Sequence, residues 1–329
     1  MSGPRLLRTD LSDERVLIAP DRGARPHAFL AGASRRRETN PVDCPFCPGN
    51  EEQTPPETLR VGAPDWRVRV FPNKYPMFVT GTAGNGGRDG TPAEGAHEVI
   101  VETRDHLAAL AFLDAGHWRD IVTTYRDRYR VLASLEGVSC VQLFKNAGTA
   151  AGESIDHPHS QIIAMGIVPP NLGRMAARFE SAAAAGDGCP LCGILSRSEY
   201  SIVEDDGFVW MVPPVPRLPF EQWIVPRRHH GNPAGIEDFE IPLLARLLGT
   251  MLDATDLALG EPPFNWYWYA APKGSASGTF HWYLSMQPRL TGLGGFELST
   301  GIYVNVVAPE TAATRLRNSM DRSKTLRSL

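Results

Sequence analysis

The stretch ESIDHPHSQIIAMG, residues 153–166, places two histidines and a glutamine at alternating positions immediately before an apolar run. Successive side chains of a β-strand point to opposite faces, so His157, His159 and Gln161 would share one face while Ile162 begins the buried one. A lone histidine on a strand is more often a satisfied core or surface group than a functional one. Two histidines and an amide on one face instead favour a functional site. The cysteines decide between these two interpretations.

Four of the five cysteines form two C-x-x-C motifs, CPFCPGN with Cys44 and Cys47 and CPLCGIL with Cys189 and Cys192. This spacing lets both thiolates of a pair reach one tetrahedral metal ion. In a reducing compartment, such pairs indicate metal ligands or a redox couple rather than structural disulfides. The fifth cysteine, Cys140, lies in GVSCVQLF and is interpreted as a small buried apolar residue.

Histidines follow the two cysteine pairs in a matching pattern. The segments EVIVETRDH, residues 98–106, and EQWIVPRRH, residues 221–229, both run from a glutamate through an apolar strand to a histidine, and a further histidine follows each at a nearly equal distance. The chain is therefore interpreted as an internal duplication in which each half supplies a Cys2His2 set for zinc. The predicted ligands are Cys44, Cys47, His106 and His157 in the first half and Cys189, Cys192, His229 and His281 in the second.

The two halves differ at the second histidine of the His-Pro-His motif. Aligning HPHSQII with HWYLSMQ sets His159 against Tyr283 and Gln161 against Ser285. With His157 assigned to the metal, His159 is free for chemistry, whereas Tyr283 is not. One half is therefore predicted to be catalytic and the other structural.

Length and composition fit a globular protein with two domains. The chain has 329 residues, of which 42% are apolar, and we predict domains at residues 1–173 and 174–329. We see neither the apolar run of a signal peptide nor the roughly 20 apolar residues of a membrane span, and therefore expect a cytoplasmic protein. A net charge of -4 offers no broad surface for nucleic acid, although local cations suffice for a phosphate-bearing small ligand.

The chain resembles the galactose-1-phosphate uridylyltransferase family of the histidine-triad superfamily, including its ADP-glucose phosphorylase branch. The resemblance rests on six motifs that cover nearly the whole chain in the expected order: CPFCPGNEEQTPPE, VRVFPNKYPMF, HEVIVETRDH, HPHSQIIA, FEQWIVPRRH and FHWYLSMQPRLTGLGGFE. In that family the histidine after the proline of His-Pro-His attacks the α-phosphorus of a nucleoside diphosphate sugar. The resemblance implies that His159 is the nucleophile and that turnover is ping-pong, through a covalent nucleotidyl-histidine.

Elementary chemistry supports the same role for His159. An imidazole attacks phosphorus only when its attacking nitrogen carries neither a proton nor a metal ion, so the nucleophile should not be a zinc ligand. His159 meets this requirement and His157 does not. Gln161 can donate a hydrogen bond to a non-bridging oxygen of the intermediate but cannot readily deprotonate water, so transfer is expected to exceed hydrolysis.

The resemblance also implies which residues bind substrate. They are Arg22 and Arg25 near the phosphates, Phe71, Asn73, Lys74 and Tyr75 around the base and ribose, Asn146 and Ser154 for further phosphate contacts, and Phe296, Glu297 and Asn305 near the sugar. For Phe71 and Tyr75, packing in the core is an equally good interpretation. The neighbouring His97 and Glu98 are expected to have a structural or supporting role.

The expected architecture is α+β, a duplicated histidine-triad-like fold with two antiparallel-sheet halves and flanking helices. Apolar residues recur at spacings of three and four in residues 117–134 and 241–259, which predicts helices there. The aromatic run FNWYWYAAP, residues 264–272, alternates like a strand and is interpreted as packing. The glycine-rich residues 81–95 lack an apolar period and are predicted to form a mobile surface loop.

The sequence leaves three functions open. The first is transfer of a nucleoside monophosphate from a nucleoside diphosphate hexose, such as UDP-glucose, to hexose-1-phosphate. The second is phosphorolysis, in which phosphate accepts the nucleotidyl group of ADP-glucose or a dinucleotide, and it uses every residue that the first uses. The third is a non-enzymatic, double-zinc nucleotide-binding module, which would form no covalent intermediate. A homodimer is expected by analogy with the family.

Overall fold

The computed structural model describes residues 3–24, 29, 40–81, 93–274 and 278–327. Within these ranges the chain forms a ten-stranded antiparallel sheet, a separate three-stranded sheet and six α-helices, which confirms the α+β expectation. Arg25 and most of the glycine-rich segment 81–95 lie outside the described residues. No helix in the described part of the chain combines the length and the apolar character that crossing a bilayer requires.

The strands and helices have the following bounds. The large sheet contains β3 (Leu59–Val61), β4 (Val68–Pro72), β5 (Gly95–Val101), β6 (Cys140–Ala147), β7 (His159–Met165), β8 (Ser201–Glu204), β9 (Phe208–Met211), β10 (Gln222–Pro226), β11 (Phe264–Tyr269) and β12 (Tyr283–Pro288). The small sheet contains β1 (Arg5–Arg8), β2 (Arg15–Ile18) and β13 (Tyr303–Asn305). The helices are α1 (Ala115–Ala133), α2 (Pro170–Ala185), α3 (Pro190–Arg197), α4 (Ile241–Leu259), α5 (Gly295–Thr300) and α6 (Pro309–Arg327).

The strand order of the large sheet is β3-β4-β5-β7-β6-β11-β12-β10-β9-β8. Followed from either edge to the centre, both halves have the same order, so β8 to β12 repeat β3 to β7 and confirm the duplication. The halves meet where β6 pairs with β11, with Asn146 opposite Asn265. They therefore share one sheet. The sequence pattern did not predict this junction, because both strands resemble ordinary internal strands. The predicted domain boundary at residues 173 and 174 falls inside α2 and stays a prediction.

Helices α1, α4 and α6 cover one face of the large sheet and form the main core with it. The predicted helix at residues 241–259 coincides with α4, and the one at residues 117–134 agrees with α1 to within two residues. Trp266 and Trp268 are almost wholly buried under these helices, which confirms the packing interpretation of the aromatic run. The core thus lies between the sheet and the three helices.

The opposite face of the sheet has a different cover in each half. Over the second half lie α2 and α3, whose apolar side chains pack on the strands. Over the first half lies the segment that carries Cys44 and Cys47, packed on Phe71 and neighbouring valines. Between the two covers, Phe144 and Gln161 are only partly buried. The strip of sheet around Gln161 is therefore the accessible part of this face.

Candidate active site

The first set of predicted metal ligands is assembled in the structure. The ligand atoms of Cys44, Cys47, His106 and His157, all four buried, lie within 4.8 Å of one another. Sγ of Cys47 is 3.3 Å from Nδ1 of His106 and 3.6 Å from Nδ1 of His157, and Sγ of Cys44 is 3.7 Å from that same Nδ1. A tetrahedral zinc ion with bonds of about 2.0 to 2.3 Å separates its ligands by roughly 3.3 to 3.8 Å. These four residues could therefore hold a zinc ion.

The donor atoms of this cluster have the chemistry that a metal site requires. Nε2 of His157 donates to the carbonyl oxygen of Thr103 at 2.7 Å, which leaves the Nδ1 lone pair directed at the thiols. Burial and the neighbouring Cys44 raise the pKa of the Cys47 thiol to about 12. A thiolate at this position at neutral pH therefore needs a cation beside it, and a zinc ion supplies one.

The second set of predicted ligands repeats this geometry with Cys189, Cys192, His229 and His281. Sγ of Cys192 is 3.4 Å from Nδ1 of His281 and 3.5 Å from Nδ1 of His229. Nε2 of His281 donates to the carbonyl oxygen of Pro226 at 2.9 Å. In both halves Nδ1 faces the thiols and Nε2 is held by a backbone carbonyl, as expected for two copies of one site.

The candidate nucleophile, His159, lies at the start of β7, two residues after His157. Its Nδ1 donates a hydrogen bond of 2.7 Å to the carbonyl oxygen of His157, and its Nε2 has no hydrogen-bond partner among the described residues. Burial, assisted by the nearby Lys145 ammonium, lowers the pKa of His159 to about 4. The imidazole is therefore neutral near pH 7 with its lone pair on Nε2, as a nucleophile requires.

An aromatic side chain that the sequence reasoning missed covers this imidazole. The ring of Phe46 meets that of His159 edge-on, with centroids 5.2 Å apart, and leaves His159 only 5% exposed. Phe46 also contacts Phe71, which is 2% exposed and so has the packing role given as one of its two interpretations. The available signal was the position of Phe46 between the two cysteines of its motif. Phe46 thus shields His159 from solvent.

Gln161 is held by a short chain of hydrogen bonds. Its Oε1 lies 2.8 Å from Nε2 of His97 and 3.4 Å from Nδ2 of Asn73. Nδ1 of His97 accepts from the backbone N–H of Met77 at 3.2 Å. Nε2 of Gln161 has no hydrogen-bond partner in the described part of the chain. The structure thus brings together Gln161, Asn73 and His97 and leaves the Gln161 N–H groups available.

The second half contributes a residue to the site that the sequence reasoning assigned to packing. Asn265 on β11 donates through Nδ2 to Oδ1 of Asn146 at 2.8 Å and to the carbonyl oxygen of Ala151 at 2.7 Å. Nδ2 of Asn146 is 3.4 Å from the carbonyl oxygen of Gly152. Asn265 thereby fixes the predicted phosphate ligand Asn146. Its polar side chain within an aromatic run was the signal.

A buried ionic network lies behind the nucleophile and was also missed. Nζ of Lys145 donates to Oε2 of Glu102 at 2.6 Å and to the carbonyl oxygen of His159 at 2.8 Å. The other carboxylate oxygen of Glu102 accepts from Ser160 Oγ at 2.5 Å and from the hydroxyl of Tyr125. The Lys145 and Glu102 side chains are 2% and 0% exposed. The network therefore fixes the backbone of β7 at the point where His159 projects.

The other predicted contacts in the first half lie at the surface. Lys74 and Tyr75 follow β4 and are exposed, and the backbone N–H of Tyr75 donates to Oδ1 of Asn73 at 2.8 Å. Ser154 is exposed in the segment before the His-Pro-His motif, and Arg22 is exposed on the 3-10 turn Pro20–Ala24. Their assignment to substrate stays a prediction.

The predicted sugar-binding residues near the C-terminus have other contacts. Phe296 is 50% exposed on α5, and Glu297 accepts from the backbone N–H of Gly294 at 3.0 Å. Asn305 is fully buried, and its amide donates to the carbonyl oxygen of Pro216 at 2.9 Å. No described hydrogen bond or ring contact joins these residues to the His159 region. A substrate role for Phe296, Glu297 and Asn305 therefore stays a prediction.

A cavity of about 550 Å³ adjoins the first metal cluster. Its lining includes His106 and the paired Lys145, together with three carboxylates, Glu153, Asp156 and Glu261. Neither the nucleophile nor the glutamine lines it, and the carboxylates would repel a diphosphate. The accessible strip around Gln161 is therefore the better place for a nucleotide.

The equivalent place in the second half is filled. Tyr283, which aligns with the nucleophile, is 1% exposed and stacks on Tyr269 with ring centroids 4.7 Å apart. Ser285, which aligns with the glutamine, donates to Oε1 of Glu221 at 3.0 Å, and Glu221 in turn pairs with buried Arg217 at 2.8 Å. Among its described residues, the second half thus has neither a counterpart of the reactive histidine nor an accessible strip.

One candidate catalytic half and one filled half, each with a Cys2His2 cluster, define a histidine-triad-like protein of the nucleotide-transferring type. The family model of the galactose-1-phosphate uridyl transferase N-terminal domain matches residues 5–169. ADP-glucose phosphorylase of Arabidopsis thaliana is 32% identical over 325 residues, covering 95% of this chain and 92% of that protein. Galactose-1-phosphate uridylyltransferase of Thermotoga maritima is 27% identical over 313 residues, covering 88% and 94%. The chain belongs to the galactose-1-phosphate uridylyltransferase family.

Solved structures agree with this assignment. The crystal structure of an ADP-glucose phosphorylase from Arabidopsis thaliana with bound ADP-glucose superposes with a TM-score of 0.85 at 31% identity, covering 96% of this chain and 98% of that one. A uridylyltransferase structure superposes with a TM-score of 0.76 at 26% identity, covering 97% and 99%. The predicted family and the duplicated histidine-triad-like fold are both confirmed.

Proposed function

We propose that this protein transfers a nucleoside monophosphate from a nucleoside diphosphate hexose to hexose-1-phosphate through a covalent nucleotidyl-histidine at His159. The observation that carries the proposal is the hydrogen bond from Nδ1 of His159 to the carbonyl oxygen of His157, because it leaves the lone pair on Nε2. Membership of the uridylyltransferase family supports an enzyme of this type.

The reaction has two in-line displacements at phosphorus. In the first, Nε2 of His159 forms a bond to the α-phosphorus while the bond to the β-phosphate oxygen breaks, and hexose-1-phosphate leaves with the electron pair. In the second, a phosphate oxygen of the acceptor attacks the same phosphorus, and the electron pair of the N–P bond returns to Nε2. Neither step needs a proton from a side chain. The carbonyl of His157 stabilises the charged imidazole ring of the intermediate.

Amide side chains supply the remaining stabilisation. The available N–H groups of Gln161 can donate to a non-bridging oxygen of the transferred phosphoryl group. The Asn146 amide, held by Asn265, offers a second donor on the neighbouring strand. Because an amide is a poor base toward water, discharge to a phosphate acceptor exceeds hydrolysis.

A second candidate differs in the base of its donor and in its acceptor. The identity of 32% to an ADP-glucose phosphorylase, against 27% to a galactose-1-phosphate uridylyltransferase, favours ADP-glucose as donor and inorganic phosphate as acceptor. The same histidine, glutamine and asparagine would serve both reactions. Only the base that enters the site and the group that discharges the intermediate separate them.

We propose that both Cys2His2 clusters bind zinc. The ion would keep the cysteines as thiolates and would anchor His157 in the first half and His281 in the second. Because the carbonyl of His157 orients the nucleophile, the first site supports the chemistry through positioning. The second supports only the fold of its own half.

We also infer a cytoplasmic homodimer. The cysteines form no disulfide among themselves, and thiol-based metal clusters suit a reducing compartment. Dimerisation follows from the family by analogy. Light scattering on the purified chain tests it, since a mass of one chain, 36.0 kDa, would contradict the dimer.

One experiment separates these functions. The purified protein is incubated separately with UDP-glucose, ADP-glucose and a GDP-sugar, and its intact mass is measured. A gain of one nucleoside monophosphate identifies the donor, and its loss on adding hexose-1-phosphate or phosphate identifies the acceptor. Peptide mapping should place the adduct within residues 157–161. Binding without any adduct would favour the zinc-containing nucleotide-binding module, and an adduct on another residue would overturn the mechanism.

A further inference from the structure

The orientation of the Gln161 amide is set by a backbone group outside the catalytic strand. The N–H of Met77 can only donate, so Nδ1 of His97, 3.2 Å away, must be the accepting nitrogen of that ring. A neutral His97 then carries its proton on Nε2. That proton points at the Gln161 side chain 2.8 Å away, so the facing Gln161 atom is the carbonyl oxygen.

A second polar side chain reinforces this orientation. The backbone N–H of Tyr75 donates to Oδ1 of Asn73 at 2.8 Å, which turns Nδ2 of Asn73 toward the Gln161 oxygen at 3.4 Å. Nδ2 of Asn73 also lies 3.2 Å from Nε2 of His97, so both groups converge as donors on the Gln161 oxygen, each oriented by a backbone N–H. A rotated amide would set its own N–H groups against both of them.

The environment of His97 keeps the ring in the neutral form that this relay needs. His97 is 4% exposed, and its burial lowers the pKa of the imidazole below its ordinary value. A protonated ring would place a second donor against the N–H of Met77. The neutral tautomer with the proton on Nε2 accepts from the N–H of Met77 and donates to the Gln161 oxygen at once.

We propose that His97 is a positioning residue that turns the Gln161 N–H groups toward the transferred phosphoryl group and thereby favours discharge to the phosphate acceptor over discharge to water. This inference rests on the proposed function. The amide nitrogen of Gln161 has no hydrogen-bond partner among the described residues and lies on the accessible strip. A rotated amide would present its oxygen to the anionic phosphoryl group and to an anionic acceptor, which destabilises transfer, and would offer an attacking water a hydrogen-bond acceptor.

Two substitutions of equal size test the direction of the amide. In His97→Gln, the side-chain amide can still donate to the Gln161 oxygen and accept from the N–H of Met77. In His97→Glu, the carboxylate can only accept and so favours the rotated Gln161 amide. We expect His97→Gln to transfer within about threefold of the wild-type rate and His97→Glu to be about 100 to 1000 times slower, the range for one lost donor at a reacting oxygen.

The partition of the intermediate gives a readout that a purely structural role would not change. The adduct is formed first, and its discharge to acceptor and to water is then timed by intact mass. In His97→Glu the share lost to water should rise, while KM for the donor and the thermal unfolding temperature stay close to those of His97→Gln. Equal partition in the two variants would overturn the inference.

A double-mutant cycle shows whether His97 acts through Gln161. His97→Phe keeps a ring of similar size and removes both hydrogen bonds, and it is combined with Gln161→Ala. We expect the double variant to transfer at the rate of Gln161→Ala alone, since no amide remains to be oriented. If the rate loss of the double variant equals the product of the two single rate losses, His97 acts independently of Gln161 and the inference is rejected. A wild-type protein that forms no adduct would reject the proposed function as well.

Discussion

The carbonyl oxygen of His157 lies 2.7 Å from Nδ1 of His159, so a residue whose side chain faces the first metal cluster also orients the candidate nucleophile through its backbone. The first cluster and the nucleophile are therefore mechanically coupled. The second cluster has no such partner, because Tyr283 stands where a nucleophile would be and is packed in the core.

Replacement of the nucleophile is expected to stop the reaction. In His159→Ala no nitrogen remains to form the N–P bond, so nucleotidyl transfer should fall by about 10³-fold or more. Zinc content, circular dichroism and nucleotide affinity should stay close to those of the wild type, because the metal ligands and the accessible strip are unchanged. Full activity in His159→Ala would contradict the proposed mechanism.

The matched control is the aligned residue of the second half. Tyr283 stacks on Tyr269 with ring centroids 4.7 Å apart and meets Trp223 in a tilted contact at 4.6 Å, so Tyr283→Ala leaves a large cavity. We expect a loss of about 3 to 5 kcal/mol of unfolding free energy. The transfer rate of the protein that remains folded should change little. A chemical defect as large as that of His159→Ala would contradict the assignment of one catalytic half.

The two metal clusters are expected to differ under a chelator. Cys44 and Cys47 are each 6% exposed, whereas Cys189 and Cys192 are only half-buried. Metal analysis of the untreated protein should give two zinc equivalents, and a chelator should remove the second-half ion first. Loss of both ions at one rate would contradict this ordering.

Substitutions in the clusters separate folding from chemistry. Cys44→Ser should lower the transfer rate of the folded protein, because His157 then loses part of its anchor. Cys189→Ser should lower thermal stability while the folded protein keeps its rate. Measuring kcat well below each unfolding temperature distinguishes the two effects. An equal loss of rate in both variants would show that the first cluster does not position His159.

Gln161→His should shift the reaction toward hydrolysis. A histidine at this position restores a third imidazole beside His159, and an imidazole can accept a proton from water where an amide cannot. We expect slower transfer to the acceptor and a larger share of the intermediate lost to water, measured as free nucleoside monophosphate. An unchanged partition would show that the amide does not protect the intermediate.

Removal of one partner of the buried Lys145–Glu102 pair is expected to lower the unfolding free energy strongly. Lys145→Met leaves the Glu102 carboxylate buried without its cation, which should lower the unfolding free energy by about 3 to 5 kcal/mol. Adding Glu102→Gln removes the unpaired charge and should recover part of this loss. Denaturant titration of the single and double variants measures both effects.

A surface ion pair provides the comparison. Arg246 pairs with Asp205 at 2.8 Å, but its side chain is 57% exposed. Arg246→Met should therefore change the unfolding free energy by only about 0 to 1 kcal/mol. Equal losses in Lys145→Met and Arg246→Met would show that burial does not control the strength of the first pair.

The features that could be predicted from the sequence are those whose pattern lies within a few neighbouring residues. Alternation around His159, the spacing of the cysteine pairs and the helical period of residues 241–259 each depend on neighbours within a few positions. The second copy strengthened these predictions, because two matching sets of four ligands are a stronger pattern than one. The assembled clusters follow that pattern in both halves.

The features that the sequence did not predict depend on distant parts of the chain. The Lys145 and Glu102 side chains meet only because β5, β7 and β6 lie side by side, and charged residues give no sign of burial in a linear pattern. Asn265 reaches Asn146 only across the junction of the two halves. Such contacts are set by strand pairing, which the period of a single strand does not encode.

The junction between β6 and β11 gives the second half a structural role. In a first half produced alone, β6 would be an edge strand of the sheet. The N–H and C=O groups on its outer side would be unpaired, and a strand of another chain could pair with them. In the intact protein, β11 occupies this position along Phe264 to Tyr267. The second half thus protects the catalytic half from aggregation, so isolated catalytic halves should self-associate even when their zinc cluster is intact.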